Sequence, residues 1–209
     1  MKFSFAAIAA IFSVIVAGCN GGATGFSAPS GSAPAAQSVR ANLPVLIDAP
    51  DAADSGAAAY CRQTKGEVEI RHALYGTNGS SPLPLAGVKA FCQYTSKKDG
   101  SRIHILLSTL WTSKPTLAAL AYILKPPTGS CQGNPASCYC SYLGGSDQFG
   151  GTTGAGGGWY KKNSVDQVLE ACIFPDMSSI DSWGLAYHAN GIIRGIDLTK
   201  VLRYKYPRG

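Results

Sequence analysis

Two stretches of the chain nearly superimpose. "AAAYCRQTKG" at 57–66 and "ASCYCSYLGG" at 136–145 align at one offset of 79 residues. Ala57, Tyr60, Cys61 and Gly66 then meet Ala136, Tyr139, Cys140 and Gly145. The next cysteines, in "FCQY" at 91–94 and "ACIF" at 171–174, follow at an offset of 80. Each half then runs through polar residues to a Leu-Ala-Tyr, at 120–122 and 185–187. A tandem duplication accounts for all these matches together. It predicts two copies of one small unit, each with two corresponding cysteines.

The local signals give that unit its elements. "DSGAAAYCRQTKG" has Asp54 or Ser55 as N-cap, helix formers inside and Gly66 as the stop. "EVEIR" at 67–71 alternates polar and apolar residues, as a half-buried strand does. "VKAFCQYTSKKDGSRIHILL" reads as a hairpin turning at Asp99-Gly100. "TSKPTLAALAYIL" reads as a second helix, ending before Pro126-Pro127. In the second half, Ser178 or Ser179 can cap "IDSWGLAYHAN", with Asn190-Gly191 as the stop. Its Ile180, Trp183, Leu185 and Tyr187 supply much of an apolar face. The expected fold class is α+β: two tandem, disulfide-stapled helix–strand–strand–helix units, over 51–127 and 128–209.

The N-terminus says where such a chain travels. Lys2 is followed by an apolar or small run from Phe3 to Ala17. That run is shorter than the roughly 20 residues a spanning helix needs, and it fits the h-region of a secretory signal. It ends Val16-Ala17-Gly18-Cys19, which resembles the lipobox of bacterial lipoproteins. The resemblance implies cleavage after residue 18 and acyl chains, palmitate among them, on Cys19. An ordinary secretory signal with a chance cysteine is the alternative. The seven cysteines favour lipidation, because an odd number in an exported chain asks for an explanation. With Cys19 acylated, six remain, enough for three disulfides in an oxidising compartment.

Residues 19–50 are rich in Gly, Ala, Ser and Pro, with Arg40 and Asp48 their only charges. Such a segment buries too little apolar surface to offset its ordering entropy. It reads as a tether reaching roughly 25–30 Å over about 25 residues, with "LPVLID" at 43–48 as the part able to pack. The net charge is +6 with only 14% charged residues. This mild basic bias suits anionic envelope surfaces, whereas export separates the chain from nucleic acid.

The second unit resembles a small bacterial domain of unknown function, number 333, found in proteins labelled hemolysins. The residues that carry the resemblance are Asn134, Pro135, Ala136, Tyr139, Cys140, Gly144 and Gly145. Cys172, Phe174, Pro175, Asp176, Trp183, Tyr187 and Gly191 continue it over about 60 residues. The first unit is a weaker copy, keeping Tyr60-Cys61, Gly66-Glu67 and Cys92. The family's usual further cysteines, before the Trp and after the last Gly, are both missing here. Their joint loss implies that they pair with each other. The resemblance then implies pairs Cys61–Cys92 and Cys140–Cys172, with Cys131–Cys138 left as the third.

No motif assembles a reaction. Cys131, Cys138 and Cys140 could be soft metal ligands, but structural zinc sites prefer Cys pairs two to four residues apart. There is no His-Glu-x-x-His, Gly-x-Ser-x-Gly or Cys-x-x-Cys. His72, His104 and His188 read as ordinary surface or strand histidines, with His104 alternating outward. Glu67 and Glu69 share one strand face and read as solvated charges. "GGSDQFGGTTGAGGGW" at 144–159 lacks the Gly-Lys-Ser/Thr of a phosphate loop and reads as an inserted loop, itself a possible contact surface. "DLTKVLRYKYPRG" reads as a terminal strand, or as a basic tail lying on an anionic membrane.

The expected protein is a bacterial envelope lipoprotein, held by lipid through Cys19 and facing periplasm or exterior. Asn20 after that cysteine resembles outer-membrane sorting in Gram-negative lipoproteins. The expected function is a non-enzymatic binding, adaptor or inhibitor module, with no catalytic residues, metal or cofactor. Its partner is an anionic envelope surface or another envelope protein. The alternatives are a hemolysin-like membrane-active protein and a hydrolase using His104 or His188 between the units.

Overall fold

The computed structural model of the protein describes residues 55–76, 83–127, 129, 131–147, 157–161 and 164–207. The expected signal peptide, tether and "LPVLID", and 148–156 of the glycine-rich stretch, lie outside the described residues.

Helix α1 (Gly56–Gln63) begins at Ser55, whose hydroxyl accepts from Ala58 N at 3.2 Å. It leads into β1 (Glu67–Tyr75), β2 (Leu83–Thr95) and β3 (Arg102–Leu106), an antiparallel meander. The turn between β2 and β3 places Gly100 at φ +70°, the conformation expected from Asp99-Gly100. Helix α2 (Leu107–Trp111) leaves β3 with no intervening residue. Helix α3 (Leu117–Leu124) is capped by Thr116 and ends at left-handed Lys125. Asn134 caps α4 (Pro135–Tyr142), with Pro135 at the first helical position. Strands β4 (Gly157–Lys161), β5 (Ser164–Leu169), β6 (Ala171–Ile173) and β7 (Ser179–Asp181) follow. Helices α5 (Ser182–Ala189) and α6 (Leu198–Val201) complete the body.

Two boundaries differ from expectation. Asp181 caps α5 through Gly184 N, not Ser178 or Ser179, because β7 carries the chain extended as far as Asp181. The expected terminal strand is instead α6, capped by Asp197, which buries Leu198, Val201 and Leu202.

All seven strands join one antiparallel sheet, in the order β5-β4-β1-β2-β3-β7-β6. β5 and β6 are therefore its two edges, yet Glu170 alone separates them in sequence. A chain can pass from edge to edge across one residue only if the sheet rolls until its edges meet. One face of the rolled sheet is covered by helices. A single row there crosses five strands: Val68, Cys92, Ile105, Ile180 and Cys172. It packs with Ala58, Cys61, Tyr139, Cys140 and Leu185, so both halves share one core. The expected units are therefore not two separate bodies. Tyr60 ties the first helix to the last by donating to the Val201 carbonyl at 2.9 Å.

The disulfides are Cys61–Cys92, Cys131–Cys138 and Cys140–Cys172, the pairs implied by the resemblance. The two long-range staples share a local design. Gly66 N donates to Cys61 O at 2.8 Å, and Gly145 N to Cys140 O at 2.9 Å. A Cβ on Gly66 would lie 2.2 Å from Cys92 Sγ, and one on Gly145 2.5 Å from Cys172 Sγ. Glycine recurs there because the disulfide occupies the space of any side chain. The next residues pair alike: Glu67 with Gln93, one past Cys92, and Ser146 with Ile173, one past Cys172.

Candidate functional site: a charged inner row opening on an aromatic groove

The sheet face turned away from the helices carries the candidate site. Strand alternation puts Glu67, Glu69 and Arg71 of β1 on that face. Register adds Gln93 from β2 and His104 from β3, and Asp181 of β7 follows beside His104. Farther along the same face the residues turn apolar: Phe91, Leu106, Trp159, Leu169, Ala171 and Ile173. The inner face is thus charged at one end and oily at the other.

The charges are buried and partnered. Glu69 is 3% exposed and Arg71 1%. Arg71 Nε donates to Glu69 Oε2 at 2.8 Å, and Nη1 to the Trp159 carbonyl at 3.0 Å. Lys161 Nζ lies 3.2 Å from both Glu69 Oε1 and Glu67 Oε1. His104 Nδ1 faces Asp181 Oδ2 at 3.3 Å, while Nε2 is 3.0 Å from Gln93 Oε1 and 3.3 Å from Glu69 Oε2. Burial alone would raise the Glu69 pKa. The hydrogen bond with His104 and the charge of Arg71 outweigh it and hold the carboxyl at about 2. Glu69 is therefore an anion at any physiological pH.

This overturns two expectations. Glu69 is not a solvated charge, and His104 does not point outward. Both lie on the face enclosed by the rolling of the sheet. His188 is also buried, against expectation. Its ring stacks on Tyr122 at 3.7 Å, and burial followed by the Lys125 charge lowers its pKa to about 4.

The row opens outward through a hollow of about 210 Å³ lined by His104, Asp181, Glu170, Arg102, Trp183 and Arg194, among others. A second hollow of about 540 Å³ is lined by Asp99, Ser101, Trp183, Tyr187, Ile192, Ile193 and Arg194. Trp183 and Arg194 line both, so the two hollows adjoin across a shared wall and are together called the groove. Glu170, at the seam of the sheet, organises that wall. It accepts from Asn134 Nδ2 at 3.1 Å and from the Trp183 side chain. Burial, then the charges of Asp147 and Asp181, push its pKa up against those bonds. Trp183 and Tyr187 stand one helical turn apart on α5, with ring centroids 5.8 Å apart. The Arg194 guanidinium sits 5.3 Å over the Tyr187 ring.

The structure thus unites residues that the sequence had placed separately. Trp183 and Tyr187 meet at the groove, His104 lines its floor, and Asn134 reaches it through Glu170. His188 is not among the lining residues. The cysteines hold the scaffold and stay outside the groove. Arg71, Glu170, Asp181 and Arg194 were not singled out from sequence. Arg71 was within reach, since it follows Glu69 by two on a strand and shares its face. Glu170 was not, because its role depends on which strands become edges. Among the described residues, no group of His, Cys, Asp and Glu is arranged to hold a metal ion, and no helix is long and apolar enough to cross a membrane.

No protein-family model, curated protein or solved structure matches the chain.

Proposed function

We propose that this chain is an envelope lipoprotein whose folded body is a binding module. The groove walled by Trp183, Tyr187 and Arg194 is its binding surface. The observation that carries the reading is how the wall is held. Glu170 accepts from the Trp183 side chain, and α5 stands on β7 within a rolled, stapled sheet. A site of this kind, with apolar area and a few converging polar groups, suits recognition of a ligand. The charged row beneath it is already satisfied internally, so it supports the wall instead of reaching outward.

The body descends from a duplication, in this reading. Its support is the repeated glycine-under-disulfide turn and the symmetric order of rows about the Ile105–Ile180 pair. The equivalent helices are then α2 and α5, each leaving its strand with no linker. The Leu-Ala-Tyr match would instead equate α3 with α5.

Anchoring follows from Cys19. Radiolabelled palmitate fed to expressing cells should enter the full chain and not a Cys19→Ala variant, and the label should fractionate with the outer membrane. For binding, immobilised mature protein should retain material from solubilised envelope, and Tyr187→Ala with Arg194→Gln should abolish retention. Equal retention by the double variant refutes the groove.

A hydrolytic reading has one observation in its favour: His104 lies in a hollow within 3.3 Å of the Asp181 carboxylate. It predicts turnover that His104→Gln abolishes, whereas the binding reading predicts no turnover. A membrane-damaging role predicts dye release from liposomes by the mature protein, and the binding reading predicts none.

A further inference from the structure

The groove's chemistry narrows the ligand. Its wall offers flat aromatic surface: Tyr187 is 38% exposed, and Trp183 lies beside it. Its rim is cationic. Arg194 stands over Tyr187, and Arg102 lines the adjoining hollow. Lys97 and Lys98 lie in the β2–β3 turn that also supplies Asp99 and Ser101 to the groove. The acids deeper in are engaged. Asp181 accepts from Gly184 N and faces His104, and Glu170 holds Asn134 and Trp183. Of the rim's cations, Arg194 lies on the wall itself, where a ligand would meet it.

The rim is also held in place. Gly195 N donates to Ser101 Oγ at 3.2 Å, pinning the residue after Arg194 to the β2–β3 turn. A Cβ at Gly195 would lie 2.3 Å from the Tyr94 carbonyl, so only glycine allows this approach. The Arg194 backbone is therefore set by the sheet.

Resting on the binding reading above, we infer that the groove takes an acidic oligosaccharide. A sugar ring presents a C–H face that lies flat against Trp183 and Tyr187. Its hydroxyls can donate to the Asp99 carboxylate at the groove edge, whose Oδ1 already accepts from Ser101 N and Oγ. Its carboxylate meets the guanidinium of Arg194. A purely apolar ligand would strip water from Asp99, Ser101 and Arg194 without replacing their hydrogen bonds. A small anion alone would leave the aromatic wall uncovered.

The test uses purified mature protein with four probes. These are oligogalacturonate, peptide-free glycan strands containing N-acetylmuramic acid, neutral chitotetraose and a single-stranded oligonucleotide. Binding is followed by tryptophan fluorescence and calorimetry. One of the acidic oligosaccharides should bind at least about tenfold more tightly than chitotetraose, and raised salt should narrow that gap. Tyr187→Ala should weaken the acidic probe about tenfold or more, as loss of an aromatic anchor does. Arg194→Gln should weaken the acidic probe and leave chitotetraose unchanged. Tyr187 and Arg194 are partly exposed, and a melting curve matching the parent shows that each variant folds.

Binding of the oligonucleotide alone, or of chitotetraose as tightly as the acidic probes, overturns the inference. If envelope material is retained through Tyr187 and Arg194 but neither acidic probe binds, the sugar class is wrong and the groove reading stands. If retention is indifferent to both residues and neither acidic probe binds, both readings fall.

Discussion

The two stapled turns of this molecule are near copies with different attachments. In the first, Gly66 leads into β1, nine residues long, which pairs along β2 and carries Glu69 and Arg71 inward. In the second, Gly145 leads to a lone bridge, Ser146 with Ile173. The strand beside it is broken at Glu170 into β5 and β6. The same staple thus supports a continuous charged sheet in one half and an interrupted edge in the other. The groove opens at the interruption, where Glu170 leaves the ladder and holds Trp183. Under the proposed duplication and binding role, one copy keeps the charged sheet and the other places recognition at the interrupted edge.

The comparison can be broken most forcefully in the first half's charged row. Replacing Glu69 with Gln removes the carboxylate charge that Arg71 and Lys161 both contact. Loss of a buried partner of this kind costs about 3–5 kcal/mol, and urea denaturation should show it. On β7 the buried partner of Asp181 is His104, at 3.3 Å, a pair that is ionic only with the imidazole protonated, so Asp181→Asn should cost less. The pH dependence carries the same signature. Glu69 has a folded pKa of about 2 against an ordinary 4.5. Its contribution is present above the unfolded pKa and is lost as pH falls toward 2. The parent should lose stability steeply across that window, and Glu69→Gln should lose less.

The staples should prove nearly equal. Removing Cys61–Cys92 or Cys140–Cys172 by paired alanines opens loops of separation 31 or 32. On the chain-entropy relation each costs about 3–4 kcal/mol. Cys131–Cys138, with a separation of 7, should cost nearer 2.5 kcal/mol. A large gap between the two long staples would separate the halves energetically. Gly66→Ala and Gly145→Ala press a methyl onto the two disulfides and should each cost about 1–3 kcal/mol. The smallest effect expected on stability is that of Glu170→Gln. It keeps acceptor capacity for Trp183 and Asn134, so melting should move little while ligand affinity shifts.

Sequence reasoning reached what local residue types determine. The cap at Ser55, one of two candidates, the turn at Asp99-Gly100 and the repeated Cys and Gly positions all lie within a few residues of their effects. It missed what long-range pairing decides. Alternation placed Glu67 and Glu69 on one face but could not say that the sheet would roll and enclose it. His104 was misread for the same reason. Helix α2 went unseen because it is five residues long and Leu106 offers no side-chain cap. The C-terminal segment alternates like a strand, yet Asp197 caps it as a helix whose apolar residues fill the shared core. The groove needed both kinds of information: Trp183 was visible as part of an apolar face, but Glu170 acquires its role only when two distant edges meet.

Recognition, as proposed, occurs where the second half's strand is interrupted. Amide chemical-shift mapping of isotope-labelled mature protein, titrated with solubilised envelope glycan, tests it most directly. Perturbations should cluster on 182–195 and on 97–102, with the first half's α1 turn at 60–66 silent. Shifts centred on the β1–β2 end at 83–87 or on the basic residues 203–207, with 182–195 unmoved, would contradict it.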